Sequence, residues 1–224
     1  QLIRELNKIE MFRKDFISNF SHEFKTPITS ICGFAEQIYK GDLSHEEEKE
    51  FAKIIMDESR RLATLSSHIL LLSKLESQSI VFEKHTFSLS EQLRTAVLLF
   101  EEEWNRKNLT FNLDFQEVNY YQNSEMLFLI WKNLLSNAIT YTPPNGTITV
   151  TCKKENDFIY VSVTDTGIGM DAETITHVFD KFYQYDSSHS MEGNGLGMSI
   201  VKQVVLLANA EISIVSRPKE GSTI

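Results

Sequence analysis

The sequence predicts an all-α helical hairpin over residues 1–78, followed by an α+β two-layer sandwich over residues 79–224. Three observations lead there. Apolar residues recur at steps of three and four through two long stretches before Ser77. Beyond Ser77, alternating strand-like runs are mixed with shorter helical ones. The strands and helices of that second part follow no regular alternation, which suits helices layered on a sheet better than a parallel α/β fold.

In the first stretch Leu2, Leu6, Ile9, Phe12, Phe16, Phe20, Phe24, Ile28 and Ile31 trace one apolar stripe, predicting an amphipathic helix from Leu2 to about Tyr39. Gly41 supplies a stop, and Ser44 with Glu47 forms a capping-box pattern that starts a second helix. Phe51, Ile55, Leu62, Leu65, Ile69 and Leu72 then follow coiled-coil spacing, interrupted by Glu58. Two helices joined by a short turn leave both stripes incompletely covered. Pairing with a second copy into a four-helix bundle would cover them, so a homodimer is expected.

The segment near 74–82 reads as a hinge between the parts. "SIVFEKHTFSL" alternates like a strand, "SEQLRTAVLLFEEEWNRK" is helical in period, and "LTFNLDF" alternates again. A helix over about 124–141 follows, then strands in "GTITVTCKK" and "DFIYVSVTD", a glycine-rich loop and a last helix over about 195–208. The final "EGSTI" resembles a strand in mid-course.

Composition narrows the functional classes. The 15 Phe and 7 Tyr supply ample apolar area for a core. A net charge of −9, with scattered rather than clustered Lys and Arg, argues against nucleic acid as a ligand. Cys32 and Cys152 form no CxxC or zinc spacing, so reduced thiols of a cytosolic region are the economical reading. There is no run of about 18 apolar residues and no signal-peptide pattern. The chain reads as an excerpt, with any membrane or sensor segment upstream of it.

The polar face of the first helix holds the first chemical candidate. At about 100° per residue, His22 points away from the Phe20–Phe24 stripe, Thr26 lies one turn on along the same face, and Glu23 flanks them. Pro27 cannot donate to the Glu23 carbonyl, so the helix is expected to bend or loosen there. A lone surface histidine is usually just solvated. Here an accessible imidazole stands beside a carboxylate able to orient it and take its proton, the arrangement a nucleophilic histidine requires. "FSHEFKTPITSICGFAE" resembles the H-box of bacterial sensor histidine kinases. That resemblance implies that His22 accepts phosphate, Glu23 acts as base and Thr26 serves phosphatase chemistry.

The second half carries a candidate nucleotide site. Asn133 and Asn137, at i and i+4, share a helix face and offer amide oxygens of the kind that help hold Mg²⁺ beside phosphates, although helix-surface amides are most often merely exposed. In "VTDTGIGM", Asp165 ends a strand before Gly167 and Gly169. This is a tight turn on the plain reading, or a carboxylate placed to accept from an exocyclic amine. Gly193, Gly195, Leu196 and Gly197 open the last helix, where backbone donors favour phosphate. In "FDKFYQYD", Phe179 and Phe182 are either core aromatics or the anchor of a mobile loop over about 183–194.

In order, these patches resemble the N, G1, F and G2 boxes of the histidine-kinase catalytic domain, of the ATPase class shared with gyrase, heat-shock protein 90 and the mismatch-repair ATPase. The resemblance implies ATP and Mg²⁺ as ligands, Asn137 on the metal with Asn133 beside it, and Asp165 on the adenine amine. It also implies Tyr141 near the base, the glycines around the phosphates and a lid anchored by the two phenylalanines. Thr140 and Gln184 depart from the pattern, standing where basic residues often sit; Lys181 and Lys202 are nearby cations.

The function implied is autophosphorylation of His22 from ATP, transfer to an aspartate of a response regulator, and dephosphorylation of that regulator. The alternatives are another enzyme of the same ATPase class, which would not need the HEFKTP helix, and a scaffold or phosphatase that binds nucleotide and regulator without efficient autophosphorylation. The Thr140 and Gln184 departures keep the last one open.

Overall fold

The computed structural model describes residues 2–77, 83–184 and 193–224, with side chains from Ile17 onward. Backbone contacts gather the chain into two units, Gln1–Leu71 and Leu72–Ile224.

The first unit is built from two long helices, α1 (Leu2–Lys40) and α2 (His45–Glu76), the second of which runs on past its boundary. Helix α1 continues through Pro27, which is buried, so the loosening expected beside His22 does not interrupt the helix. One proline forfeits a single ladder bond, and the flanking turns carry the helix across it. At the far end Gly41 adopts φ +75°, the left-handed turn that lets its N–H reach the Ile38 carbonyl at 3.2 Å. The capping box forms as the spacing predicts. Glu47 Oε2 accepts from Ser44 N at 2.8 Å, while Ser44 Oγ accepts from Glu47 N at 3.3 Å. The Ser44 hydroxyl, which donates to Glu47 Oε2 at 2.7 Å, and the Ser44 N–H hold the Glu47 carboxyl below its usual range.

The Phe34 and Phe51 rings, 4.9 Å apart, tie the two helices together. Phe20, Phe24, Ile31, Phe51, Ile55, Leu62 and Ile69 are only half-buried, and Ile28 is 47% exposed. Glu58, on the seam of α2, has a buried Oε2 without a hydrogen-bond partner. The side chains of Leu2, Leu6, Ile9, Phe12 and Phe16 lie outside the described residues.

In the second unit, β1 (His85–Ser88) pairs antiparallel with β3 (Asn119–Gln122). The five-stranded sheet contains β2 (Thr110–Phe115), β4 (Thr147–Glu155), β5 (Phe158–Asp165), β6 (Val215–Arg217) and β7 (Gly221–Thr223), in the order β2-β4-β5-β7-β6. Among the described residues only β2 and β4 run parallel, and every other pair of this sheet is antiparallel. Helices α3 (Leu89–Leu98), α5 (Ser124–Tyr141) and α7 (Gly197–Leu207) form the second layer, with α5 packed between α3 and α7 and against β5. Short α4 (Glu101–Arg106) and α6 (Ala172–His177) complete the order. Leu135 of α5, Ile148 and Val150 of β4, and Ile200, Val201 and Val204 of α7 are fully buried in the seam between the layers.

The helical run after Ser90 divides into α3 and α4. Phe100 leaves the helix (φ −108°, ψ 21°), and Glu101, Glu102 and Glu103 begin a new N-terminus whose dipole favours acids. Residues 78–82 of the expected first strand and hinge lie outside the described residues, as do 185–192 of the expected lid.

Candidate functional site

On α1, His22 is exposed and Thr26 donates its hydroxyl hydrogen to the His22 carbonyl at 3.3 Å, which stacks the two on one face. Glu23 turns toward α2, where Arg61 Nη2 stands 3.6 Å from its Oε2, and the Glu23 side chain keeps only 11% of its exposure. Its pairing with Arg61 is absent from any local motif, because the two residues meet only when the hairpin folds.

The second site is organised by the C-terminal ends of α5 and β5. Asn133 donates its amide hydrogen to the Leu129 carbonyl at 2.7 Å, which commits Nδ2 to the helix and leaves Oδ1 as an acceptor on the side of α7. A Cβ on Gly197, the first residue of α7, would lie 2.7 Å from that oxygen. Asn137, one turn on, is half-exposed and Tyr141 half-buried; burial pushes the Tyr141 phenol up.

Asp165 ends β5 beside them. Burial raises its carboxyl above the usual range, while the backbone N–H groups of Gly167 (2.8 Å to Oδ1) and Ser222 pull it part of the way back. The loop carrying it is pressed between neighbours. A Cβ on Gly167 would lie 2.6 Å from the Tyr141 carbonyl oxygen, and one on Gly169, at φ +67°, would lie 1.8 Å from the Arg217 carbonyl oxygen. A Cβ on Gly221 of β7 would likewise lie 1.9 Å from the Asp165 carbonyl oxygen. Sequence reading missed Gly221 and Ser222; a glycine inside a strand pattern is the signal for such a close approach.

At the other end of the site, Phe182 holds φ +65°, an uncommon backbone for an aromatic residue, with its N–H on the Gly195 carbonyl at 2.8 Å. Gly195, at φ +64°, leaves no room for a Cβ against the Phe182 backbone. Phe179 lies under Lys202, whose Nζ is 5.9 Å from the ring centroid. Leu196 is fully buried and anchors the start of α7. A Cβ on Gly193 would meet nothing within 4 Å, and its carbonyl accepts from Gln184 Nε2 at 3.1 Å. Of the two cations weighed above, Lys181 pairs with Glu76 at 2.7 Å within the second unit.

The loops and helix ends around Asp165 thus bring Asn133, Asn137, Tyr141, Asp165, Gly167 and Gly169 to one end of the sandwich. A desolvated carboxylate acceptor and the amides of Asn133 and Asn137 there suit a flat polar base and an anion carrying a hard cation.

Comparison with known proteins identifies families for both parts of the chain. Residues 12–78 match the family described as His Kinase A (phospho-acceptor) domain, and residues 122–224 match the Histidine kinase-, DNA gyrase B-, and HSP90-like ATPase family. Sensor protein SrrB of Staphylococcus aureus (strain NCTC 8325 / PS 47) is 30% identical over 222 residues, covering 97% of this chain; the chain spans 38% of that relative's length. The structure of histidine kinase ThkA in complex with response regulator protein TrrA superposes with a TM-score of 0.78 at 25% identity, covering 98% of this chain and 62% of that one. Acinetobacter baumannii histidine kinase AdeS shares the fold with a TM-score of 0.72 at 20% identity, covering 90% of this chain and 94% of that one. Full-length ShkA in complex with AMPPNP does so at 0.70 and 21%, covering 93% and 44%. No helix among the described residues is long and apolar enough to cross a membrane. With a phosphoacceptor-type helix pair and an ATPase-type sandwich in one chain, aligned along nearly its whole length with a sensor protein, the chain belongs to the two-component sensor histidine kinase family.

Proposed function

We propose that this region is an ATP-dependent protein-histidine kinase that phosphorylates itself on His22 and passes the phosphoryl group to an aspartate of a response regulator. Residues 1–78 would act as the dimerising phosphoacceptor domain and residues 79–224 as the ATP-binding domain. The observation that carries the reading is Asp165, a carboxylate desolvated by burial at the end of β5 and ringed by glycines that admit no side chain. Such an acceptor suits the exocyclic amine of adenine.

The residues present also fit the metal that accompanies ATP. Among the described residues no cluster of His, Cys, Asp or Glu could hold an ion, whereas Asn137, with Asn133 Oδ1 beside it, offers the hard oxygens that Mg²⁺ takes together with phosphates and waters. Bound there, Mg²⁺ would neutralise charge developing on the triphosphate. Tyr141 would pack near the base. Gly193, Gly195 and Gly197 would frame the phosphates, and Phe179 and Phe182 would anchor the chain ahead of residues 185–192, Phe182 through its bond to Gly195.

In the reaction an imidazole nitrogen of His22 attacks the γ-phosphorus, the bond to the bridging oxygen breaks and ADP leaves. The ring proton passes to Glu23, which Arg61 holds in place. Thr26, one turn along the same face, would orient a water for dephosphorylating the regulator. The half-buried stripes of α1 and α2 support pairing of two hairpins into a four-helix bundle. The match to a sensor protein of greater length supports a cytoplasmic placement, with any membrane attachment in other parts of the protein.

The test is incorporation of label from γ-labelled ATP with Mg²⁺. Acid-labile, alkali-stable label that is absent from His22→Gln supports the reading. ADP binding without label would replace it with the scaffold or phosphatase alternative, in which Thr140 and Gln184 mark the lost cations.

A further inference from the structure

Helix α5 carries Asn133, Asn137 and Tyr141, so its C-terminal end fixes one side of the nucleotide site. The last carbonyls of a helix have no partner within it, and a basic residue in the last turn commonly satisfies them. Helix α5 has no basic residue there. The Ala138 carbonyl takes the Thr142 N–H at 3.0 Å, and the Tyr141 carbonyl takes the Ile168 N–H at 3.2 Å. The carbonyls of Ile139, Thr140 and Thr142 are all taken by a single ammonium, Lys107 Nζ, at 2.7, 2.8 and 3.1 Å. That lysine belongs to the turn after α4, far away in sequence.

The turn is locked to the loop that follows α5. Asn145 N donates to the Lys107 carbonyl at 3.0 Å, Asn108 Nδ2 donates to Asn145 Oδ1 at 2.6 Å, and Thr110 N donates to the Gly146 carbonyl at 2.9 Å. Asn108 and Asn145 both hold left-handed backbones, φ +53° and +65°, which asparagine tolerates better than most residues. The clasp reaches the Asp165 loop through two further contacts. Ile168 N hangs on the Tyr141 carbonyl, and the Thr166 side chain accepts from Thr147 N at 2.9 Å, just beyond Gly146.

We propose that Lys107 is a positioning residue for the adenine end of the nucleotide site, holding the last turn of α5 so that the Tyr141 carbonyl keeps the Asp165–Gly169 loop in register with Asn137 and Tyr141. The inference rests on the nucleotide reading above. The Thr140 backbone oxygen is among the atoms that Lys107 binds. Lys107 acts through the backbone of α5 and takes no part in the chemistry.

The experiment titrates ADP by calorimetry into the intact chain, Lys107→Met and Leu93→Ala, well below the melting temperature of each. Leu93 is a core residue of α3, 1% exposed, and its truncation lowers stability without touching the clasp. Lys107→Met is expected to bind ADP about tenfold more weakly, the loss that follows when an ionic hydrogen-bond donor to buried carbonyls is removed, and to exchange its Ile168 amide hydrogen faster. Leu93→Ala is expected to change neither. If Lys107→Met does not fold, Asn145→Gly keeps the left-handed backbone, removes the Asn108 bond and carries the same expectation in the same direction. A Lys107→Met protein that melts lower yet binds ADP within about twofold of the parent reduces Lys107 to a structural role and overturns the inference alone. A parent chain that does not bind ADP overturns the nucleotide reading, and the inference with it.

Discussion

Gly169→Ala would place a methyl carbon 1.8 Å from the Arg217 carbonyl oxygen, where real contacts essentially never fall below 3.0 Å, so loop and hairpin must separate by about 1.2 Å. The obstacle is backbone on both sides, and no side-chain rotation relieves it. Alanine at φ +67° adds about 1–2 kcal/mol of its own. Asp165 lies four residues back in the same loop, so a displacement of that size takes its carboxylate out of hydrogen-bond range of a bound base. Losing a hydrogen bond to a charged group costs about 1.5–3 kcal/mol, which corresponds to about 10- to 150-fold in affinity. Calorimetric titration with ADP reads this directly. Gly33→Ala is the control, because a Cβ there meets nothing within 4 Å and lies on α1. Gly169→Ala binding ADP within about threefold of the parent would refute the claim that this loop positions the base-binding carboxylate.

Asp165→Asn should separate stability from binding. Because burial raises the folded pKa of Asp165, the unfolded chain releases its proton first as pH rises. Ionisation therefore costs stability from the ordinary aspartate range up through the raised folded value, and the cost persists above it. The asparagine variant without nucleotide should melt higher than the parent at neutral pH, with the gap closing in acid, while adenine nucleotide affinity collapses; a lower melting temperature at neutral pH contradicts this. Glu23→Gln should slow autophosphorylation by about 10²- to 10⁴-fold with ADP affinity unchanged, measured by label incorporation at saturating ATP. Arg61→Met should slow it less, because the carboxylate remains but loses the cation 3.6 Å away; equal or greater loss would make Arg61 the more important group.

The sequence showed what depends on local period. Gly41 and the Ser44–Glu47 box mark the hairpin turn because capping is a property of adjacent residues, and β4 could be read from the alternation that buries Ile148, Val150 and Cys152. Short elements without a full period were not anticipated: β3, β6 and α6 owe their form to tertiary packing. The candidate site divides along the same line. Asn133, Asn137, Asp165 and the glycines lie within short contiguous motifs. Arg61, Lys107 and Ser222 meet their partners Glu23, α5 and Asp165 only across folded elements, and no local pattern announces a lysine that caps a distant helix.

The central claim is that one particular imidazole receives the phosphoryl group. The sequence holds six histidines, His22, His45, His68, His85, His177 and His189, so the modified one can be found by mapping. The chain would be incubated with ATP and Mg²⁺, digested under alkaline conditions and sequenced by mass spectrometry. The account predicts phosphohistidine in the peptide containing His22 and in no other. Phosphate on a different histidine, or on a serine or threonine, would contradict it.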